Sequence, residues 1–491
     1  MGATEDAASC RSAPHRGMAA HSESCSSKAG HARPSSAALT RSTLPQMRGA
    51  IAAGHPLTAE AGARVLAEGG NAVDALLAAA FTAFVAEGPL TGPAGGGFLL
   101  VNEPGGETTL LECFFAVPEV RLGAMEEIVI DFADSGTQVF HVGDGSVAVP
   151  GLLAGLEEAH RRFATRHWAD LVAPAIDLAR EGVVCDEPRA FLHRILAPIL
   201  LRDEGGRRIY GDPARVVTED LSATLERVRD AGAAAVAELL PEYADDLAAY
   251  EVGAPAPLET NVLGSRVVAM PSPSRGGAVV VGILEQLAAA DDPSLHDEAR
   301  AIALAYEGSG AGRLTGTTHV SVMDGAGTAA ALSSTLGSGS GVFRRGAQMN
   351  NMLGELDVIG PEPRRAGTHL PTMLTPTLVL EGERPRLLLG SAGSVRLAGA
   401  IAQVAWRVVR WGLPVADAID APRMHVEGST LHLEGGWAEE EIRPLADDWD
   451  VVRWADRNLY FGGVQAVELR RDGTLAAAGD PRRGGVGVVV P

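Results

Sequence analysis

The stretch that most constrains this chain is a pair of alternating segments on either side of a glycine-rich turn. Thr317-Thr318-His319-Val320-Ser321-Val322-Met323 leads into Asp324-Gly325-Ala326-Gly327, and Thr328–Thr335 leads out. Side chains of a strand point alternately to its two faces, so Thr318, Val320 and Val322 share one side and Thr317, His319 and Ser321 the other. A three-residue loop, Gly325 to Gly327, closes the hairpin if Gly327 takes the left-handed conformation of a type I turn plus bulge. That register sets Asp324 opposite Thr328 and, carried outward, Thr317 opposite Thr335. A loop one residue shorter or longer would lose this pairing of hydroxyls. Threonine is a good strand residue in its own right, so the hairpin by itself speaks of fold rather than chemistry.

Elsewhere the first half reads mainly as helix and the second mainly as strand. Gly49–Ala53 is a short apolar strand, and Leu57–Ala67 has helical spacing ended by Gly69-Gly70. Asn71 then serves as an N-cap with Asp74 three residues on, starting a helix over Ala72–Val85. The glycine run up to Gly97 is followed by a strand, Phe98–Val101, where a phosphate-binding loop needs a helix; close backbone packing is the expectation. Helices are predicted over Leu152–Phe163, Trp168–Glu181, Gly277–Ala289 and Asp297–Tyr306. Strands are predicted over Arg266–Met270, Thr377–Leu380, Arg386–Leu389, Val464–Leu469 and Val486–Val490, with further helices at Ala398–Val409 and Pro414–Ala421. The pattern points to one large α+β body without a fixed-period repeat.

A formal net charge of -21 disfavours nucleic acid and anionic membrane surfaces as partners. No apolar run reaches the roughly 18 residues that a membrane-crossing helix requires. Cys10, Cys25, Cys113 and Cys185 show no paired spacing and no HExxH occurs, so neither a disulfide framework nor a metal is expected, and no cofactor. Residues 1–45 are rich in Ser, Ala, Gly and His without the basic-then-apolar order of a secretion signal. A disordered tail and a cytoplasmic location are the expectations.

Thr317 follows Gly316. Were that peptide bond cut, Thr317 would carry a hydroxyl and a free α-amine, whose ordinary pKa of about 7.7–8.0 leaves a useful neutral fraction near neutral pH. Nucleophile and base would then sit on one residue. Thr335 would donate to the Thr317 hydroxyl and fix its rotamer.

The order of short motifs sharpens this. Gly54-His55-Pro56-Leu57, Gly69-Gly70-Asn71-Ala72-Val73-Asp74-Ala75, Gly95-Gly96-Gly97-Phe98 and Val147-Ala148-Val149-Pro150-Gly151 precede Pro174-Ala175-Ile176 and Thr317-Thr318-His319. Asn350-Asn351, Thr375-Pro376-Thr377, Gly390-Ser391-Ala392-Gly393, Ala421-Pro422-Arg423-Met424-His425 and Asp480-Pro481-Arg482 follow. From about residue 48 onward this series resembles the γ-glutamyltranspeptidase family of self-processing N-terminal-nucleophile hydrolases. The resemblance implies a four-layer αββα fold and scission at Gly316–Thr317 into a large fragment, 46–316, and a small one, 317–491, held as a heterodimer whose further dimerisation stays open. It implies Thr317 as nucleophile, Thr335 as orienting threonine, and the backbone N–H groups of Gly393 and Ser394 as oxyanion donors. The substrate would be a small-molecule amide, with water or an amine as acceptor.

The recognition end departs from the family's pattern. Its carboxylate-clamping arginine aligns with Phe114, and a phenyl ring cannot imitate a bidentate guanidinium. The other substrate-binding positions fall on Gly337, Asn351, Glu355 and Thr372, with Met352 and Met373 beside them in place of polar groups. Glu355 could meet an ammonium, and Arg344 or Arg345 a carboxylate. His319 reads as a packed strand residue and Cys113 as no nucleophile. A γ-glutamyl compound, another amide of secondary metabolism, C–C bond hydrolysis, or an unprocessed non-catalytic homologue are the functional readings left by the sequence.

Overall fold

The hairpin stands in the register its turn dictates. Met323 pairs with Ala329, Val320 with Leu332 and Thr318 with Ser334, and Gly327 takes φ +98° at the left-handed position. The computed structural model of the protein describes residues 47–131, 137–212, 214–307, 316–360 and 364–491. The tail expected over 1–45, with Cys10 and Cys25, lies outside them.

In chain order, the strands of the two large sheets are β1 (Gly49–Ala53), β2 (Gly96–Asn102), β3 (Thr108–Cys113), β4 (Leu258–Val262), β5 (Ser265–Ala269) and β6 (Gly316–Asp324). They continue with β7 (Ala329–Gly337), β8 (Thr377–Glu381), β9 (Arg384–Ala392), β10 (Gly463–Leu469), β11 (Leu475–Gly479) and β12 (Val486–Val490). One six-stranded sheet runs β12-β1-β6-β7-β2-β3, the other β11-β10-β9-β8-β5-β4. They meet where β6 and β7 lie against β9, and β6 against β10.

Alternation along β6 decides what each face does. Val320 and Val322, with Leu332 of β7, enter an apolar core shared with Leu76 and Phe81 of the helix Ala72–Ala86. His319 and Ser321 point at the second sheet. A side chain at Gly390 of β9 would overlap the His319 ring, so only glycine fits there, and the Ser321 hydroxyl donates to the Gln465 carbonyl of β10 at 3.2 Å.

The helix Ala72–Ala86 is buried along its whole length, because the helix Trp168–Glu181 covers the side turned away from the sheet. Its start has the anticipated reciprocal cap: Asn71 Oδ1 accepts from Asp74 N at 2.8 Å, and Asp74 Oδ2 accepts from Asn71 N at 2.9 Å. Asp324 adds a long-range tie. One oxygen takes the Ala72 N–H at 2.9 Å while the other takes those of Ala326 and Thr328, so the hairpin turn and the helix start share one carboxylate. On the second sheet pack the helices Gly276–Ala288 and Leu397–Trp411. Among the described residues no helix is long and apolar enough to cross a membrane.

Candidate active site

Thr317 lies at the entry to β6 and is almost fully buried. The ladder is irregular there: Gly316 pairs with Gly337, whereas Thr318 pairs with Ser334. Thr335 and Leu336 therefore share the space opposite Thr317, a bulge that the uniform register did not foresee. The expected contact is changed accordingly. The Thr335 hydroxyl donates to the carbonyl oxygen of Gly316, not to the Thr317 hydroxyl, and accepts from Gly337 N at 2.8 Å. Thr335 thus holds the carbonyl of the Gly316–Thr317 peptide itself.

Thr317, Thr335, Phe114, Thr372 and Ser394 line one small cavity, completed by Met352, Val358, Met373, Leu374, Val395 and Leu397. Five positions singled out in the sequence, separated by up to 280 residues (394 − 114), converge on it. None of its lining side chains is charged. Phe114 belongs to an aromatic group, stacked on Phe98 at 5.4 Å between ring centres and edge-on to Phe115 at 4.9 Å. Gly393 and Ser394 follow β9 directly, and both adopt positive φ, 138° and 59°. Serine in the left-handed region costs on the order of 1 kcal/mol, so this turn holds backbone strain beside the cavity.

The remaining predicted residues lie next to this cavity rather than in its lining. Asn351 Oδ1 and Glu355 Oε1 both accept from Ser338 N, at 2.7 and 3.1 Å, and Glu355 also accepts from the Ser338 hydroxyl at 2.9 Å. They secure the turn after β7. Gly337 has φ +67°, and a β-carbon there would overlap Asn351 Oδ1. Glu355, suggested as a partner for an ammonium, uses its Oε1 to hold this turn. Arg344 is likewise committed within the protein, to Glu242 at 2.7 Å and Asp144 at 3.1 Å, and Arg345 lies 3.4 Å from Glu238. His319 sits between the Ser333 and Ser321 hydroxyls, each at 2.8 Å, and burial drives its pKa down to about 3. Cys113 is buried with its thiol on the Gly97 carbonyl, and burial pushes its pKa well up, which keeps it from acting as a thiolate.

The gamma-glutamyltranspeptidase family model matches residues 58–312 and 296–490. The chain belongs to the gamma-glutamyltranspeptidase family. That membership makes it an enzyme, in a family that hydrolyses or transfers amide-linked acyl groups. It is 27% identical to the acylase ACY 1 proenzyme of Pseudomonas sp. strain SE83, over 90% of this chain and 94% of that protein. It is 25% identical to the glutathione hydrolase proenzyme of Escherichia coli K12, over 89% of this chain and 90% of that protein. Its fold matches that of a cephalosporin acylase from Bacillus halodurans with a TM-score of 0.78, at 19% identity, covering 93% and 98% of the two chains.

Two family motifs turn out to be architectural. Arg423 Nη2 meets Asp480 Oδ2 at 2.6 Å, and Arg482 bonds Asp480 at 3.2 Å and also Glu434, all with side chains fully buried. Asp480 also takes the Val464 N–H at 3.0 Å, pinning the start of β10. Sequence reasoning missed Glu87, which accepts from the Thr58 and Thr318 hydroxyls at 2.7 and 2.6 Å. Burial raises its carboxyl pKa. An acidic residue capping the C-terminus of a helix opposes the helix dipole, and that mismatch was its available signal.

Proposed function

We propose that this enzyme cuts its own Gly316–Thr317 bond and then cleaves an amide through an acyl-enzyme on Thr317. The observation that carries this reading is the Thr335 hydroxyl on the Gly316 carbonyl, at the very bond to be broken. Attack by the Thr317 hydroxyl on that carbonyl places negative charge on an oxygen that already has a donor. The freed α-amine then serves as base for the next attack, and the N–H groups of Gly393 and Ser394 are the donors for the substrate's oxyanion. Water or an amine resolves the acyl-enzyme. Nucleophile, base and oxyanion donors all come from the chain.

The fragments 46–316 and 317–491 stay together as a heterodimer, because β1, β2 and β3 of the large one interleave with β6, β7 and β12 of the small one in a single sheet. With the helix Ala72–Ala86 outside one sheet and Gly276–Ala288 and Leu397–Trp411 outside the other, we assign the fold to the four-layer αββα sandwich. The test is the terminal residue of the small fragment: mass analysis should place it at Thr317, and an intact chain overturns the proposal.

Thr335→Val should slow self-cleavage by about 100-fold, from loss of one oxyanion donor. A gel time course of freshly made protein measures it, and wild-type speed in the variant would remove Thr335 from the mechanism. The uncharged cavity around Phe114 favours an apolar acyl group over a γ-glutamyl one. A phenylacetyl or fatty-acyl anilide should be hydrolysed at least about tenfold faster than γ-glutamyl anilide, whose charged head finds no ion-pair partner there. Comparable rates would show that the cavity is not the acyl site.

A further inference from the structure

Thr317 borders a second cavity as well. This chamber adjoins Thr317, Thr318 and Ala392, and its lining sets Glu87, Arg189, Arg482 and Arg483 among apolar residues such as Leu90 and Phe191. It differs from the Phe114 cavity in having charged residues, three arginines and one glutamate, within an otherwise mainly apolar lining, and the Arg482 side chain among them is fully buried. Glu87 is occupied by two hydroxyls, and burial disfavours its charged form. Arg482 is saturated by Glu434 and Asp480, and Arg189 pairs with Asp186.

Arg483 differs from both. Its Nη2 donates to the Leu459 carbonyl at 3.2 Å and its buried Nε has no partner; among the described residues it forms no ion pair with a carboxylate. Burial, then the nearby Arg396 charge, lowers its pKa to about 10, against a smaller opposing pull from the Asp480 carboxylate. Its position is tied to the reacting turn. The stem runs along Gly463, where a β-carbon would lie 2.7 Å from Arg483 Cδ, and Nη2 comes to 3.7 Å from where a β-carbon of Gly393 would be.

We propose that the substrate is an N-acyl amino acid, its apolar acyl chain in the Phe114 cavity and the carboxylate of its amine half on Arg483. This rests on Thr317 being the amide-cleaving nucleophile. The amide carbonyl lies between the two cavities. The Thr317 Oγ–carbon bond forms as the carbon–nitrogen bond breaks, and the hydroxyl proton passes by way of the α-amine to the departing amino acid. Water then adds to the acyl-enzyme and gives one proton to the α-amine. The carbon–Oγ bond breaks, Oγ regains that proton, and a free carboxylic acid leaves. Such a substrate leaves the uncharged Phe114 cavity to its acyl chain and presents its one charge, on the amine half, to Arg483.

The test uses the self-cleaved full-length protein with N-acylglycines of rising chain length and the matching N-acylglycinamides. Wild type should favour the acids about tenfold or more in kcat/KM, with the difference in KM, as for loss of one charge-assisted bond. Arg483→Gln should draw the acid-to-amide ratio towards one, and Arg483→Lys should restore part of it. Equal handling of acid and amide by wild type overturns the assignment without recourse to any variant, as does a ratio that survives Arg483→Gln. Hydrolysis of the neutral acyl anilide with refusal of all acylglycines overturns this inference alone. Inertness towards every amide, in protein whose Thr317 terminus is free, overturns the nucleophile reading along with it.

Discussion

Thr317→Ala is expected to leave the chain in one piece and to lower amide hydrolysis by about 10⁴-fold or more, the scale seen when an enzyme's nucleophile is deleted. Both effects follow from the same oxygen. Without it nothing attacks the Gly316 carbonyl, and without that scission there is no α-amine to act as base. A denaturing gel reads the first effect and acyl-anilide turnover the second. Fragments in the variant identical to those of wild type would mean that cleavage is done by something other than this threonine. The pH profile supplies a further check. A neutral α-amine is required, so wild-type turnover should rise with pH and level off above its ordinary range of about 7.7–8.0.

The largest effect on stability should come from Asp480→Ala. It leaves Arg423 and Arg482, whose side chains are fully buried, without the carboxylate they share, a loss on the order of 3–5 kcal/mol. The midpoint of urea unfolding should fall accordingly, and an unchanged midpoint would show that the cluster is not needed to hold β10. The sign with pH follows from Asp480's own ionisation. Burial pushes its pKa upward, but Arg423 and then Arg482 outweigh this and hold it below the usual carboxylate value. A depressed carboxylate stabilises the fold above its unfolded pKa of about 3.9 and loses that contribution as pH falls through the folded value. Acid sensitivity below about pH 4 should therefore be weaker in Asp480→Ala than in wild type.

Much of the architecture could be read locally. The strand Gly49–Ala53 and the helices Leu152–Phe163 and Trp168–Glu181 have the bounds that periodicity predicts, and the Asn71–Asp74 cap is the one its spacing announces. The Asp324–Gly327 turn gives its hairpin the predicted register as far as Thr318. Such features depend on residues a few positions apart, where backbone sterics and side-chain period dominate. Departures begin where partners are remote. Arg344 could not be matched with Asp144 or Glu242 from spacing, because the pairs lie 200 and 102 positions apart. Glu87 meets its Thr318 partner across 231 positions.

The amino-acid order by itself determined the family, the α+β class and the candidate nucleophile, since each rests on short motifs whose meaning survives without coordinates. Only the tertiary structure decided what surrounds that nucleophile. A bulge at Thr335–Leu336 turned one hydroxyl onto the Gly316 carbonyl, and the meeting of two sheets placed on Thr317 both an uncharged cavity and a second one that Arg483 borders. These are properties of packing, in which atoms distant along the chain compete for the same space and the same hydrogen bonds.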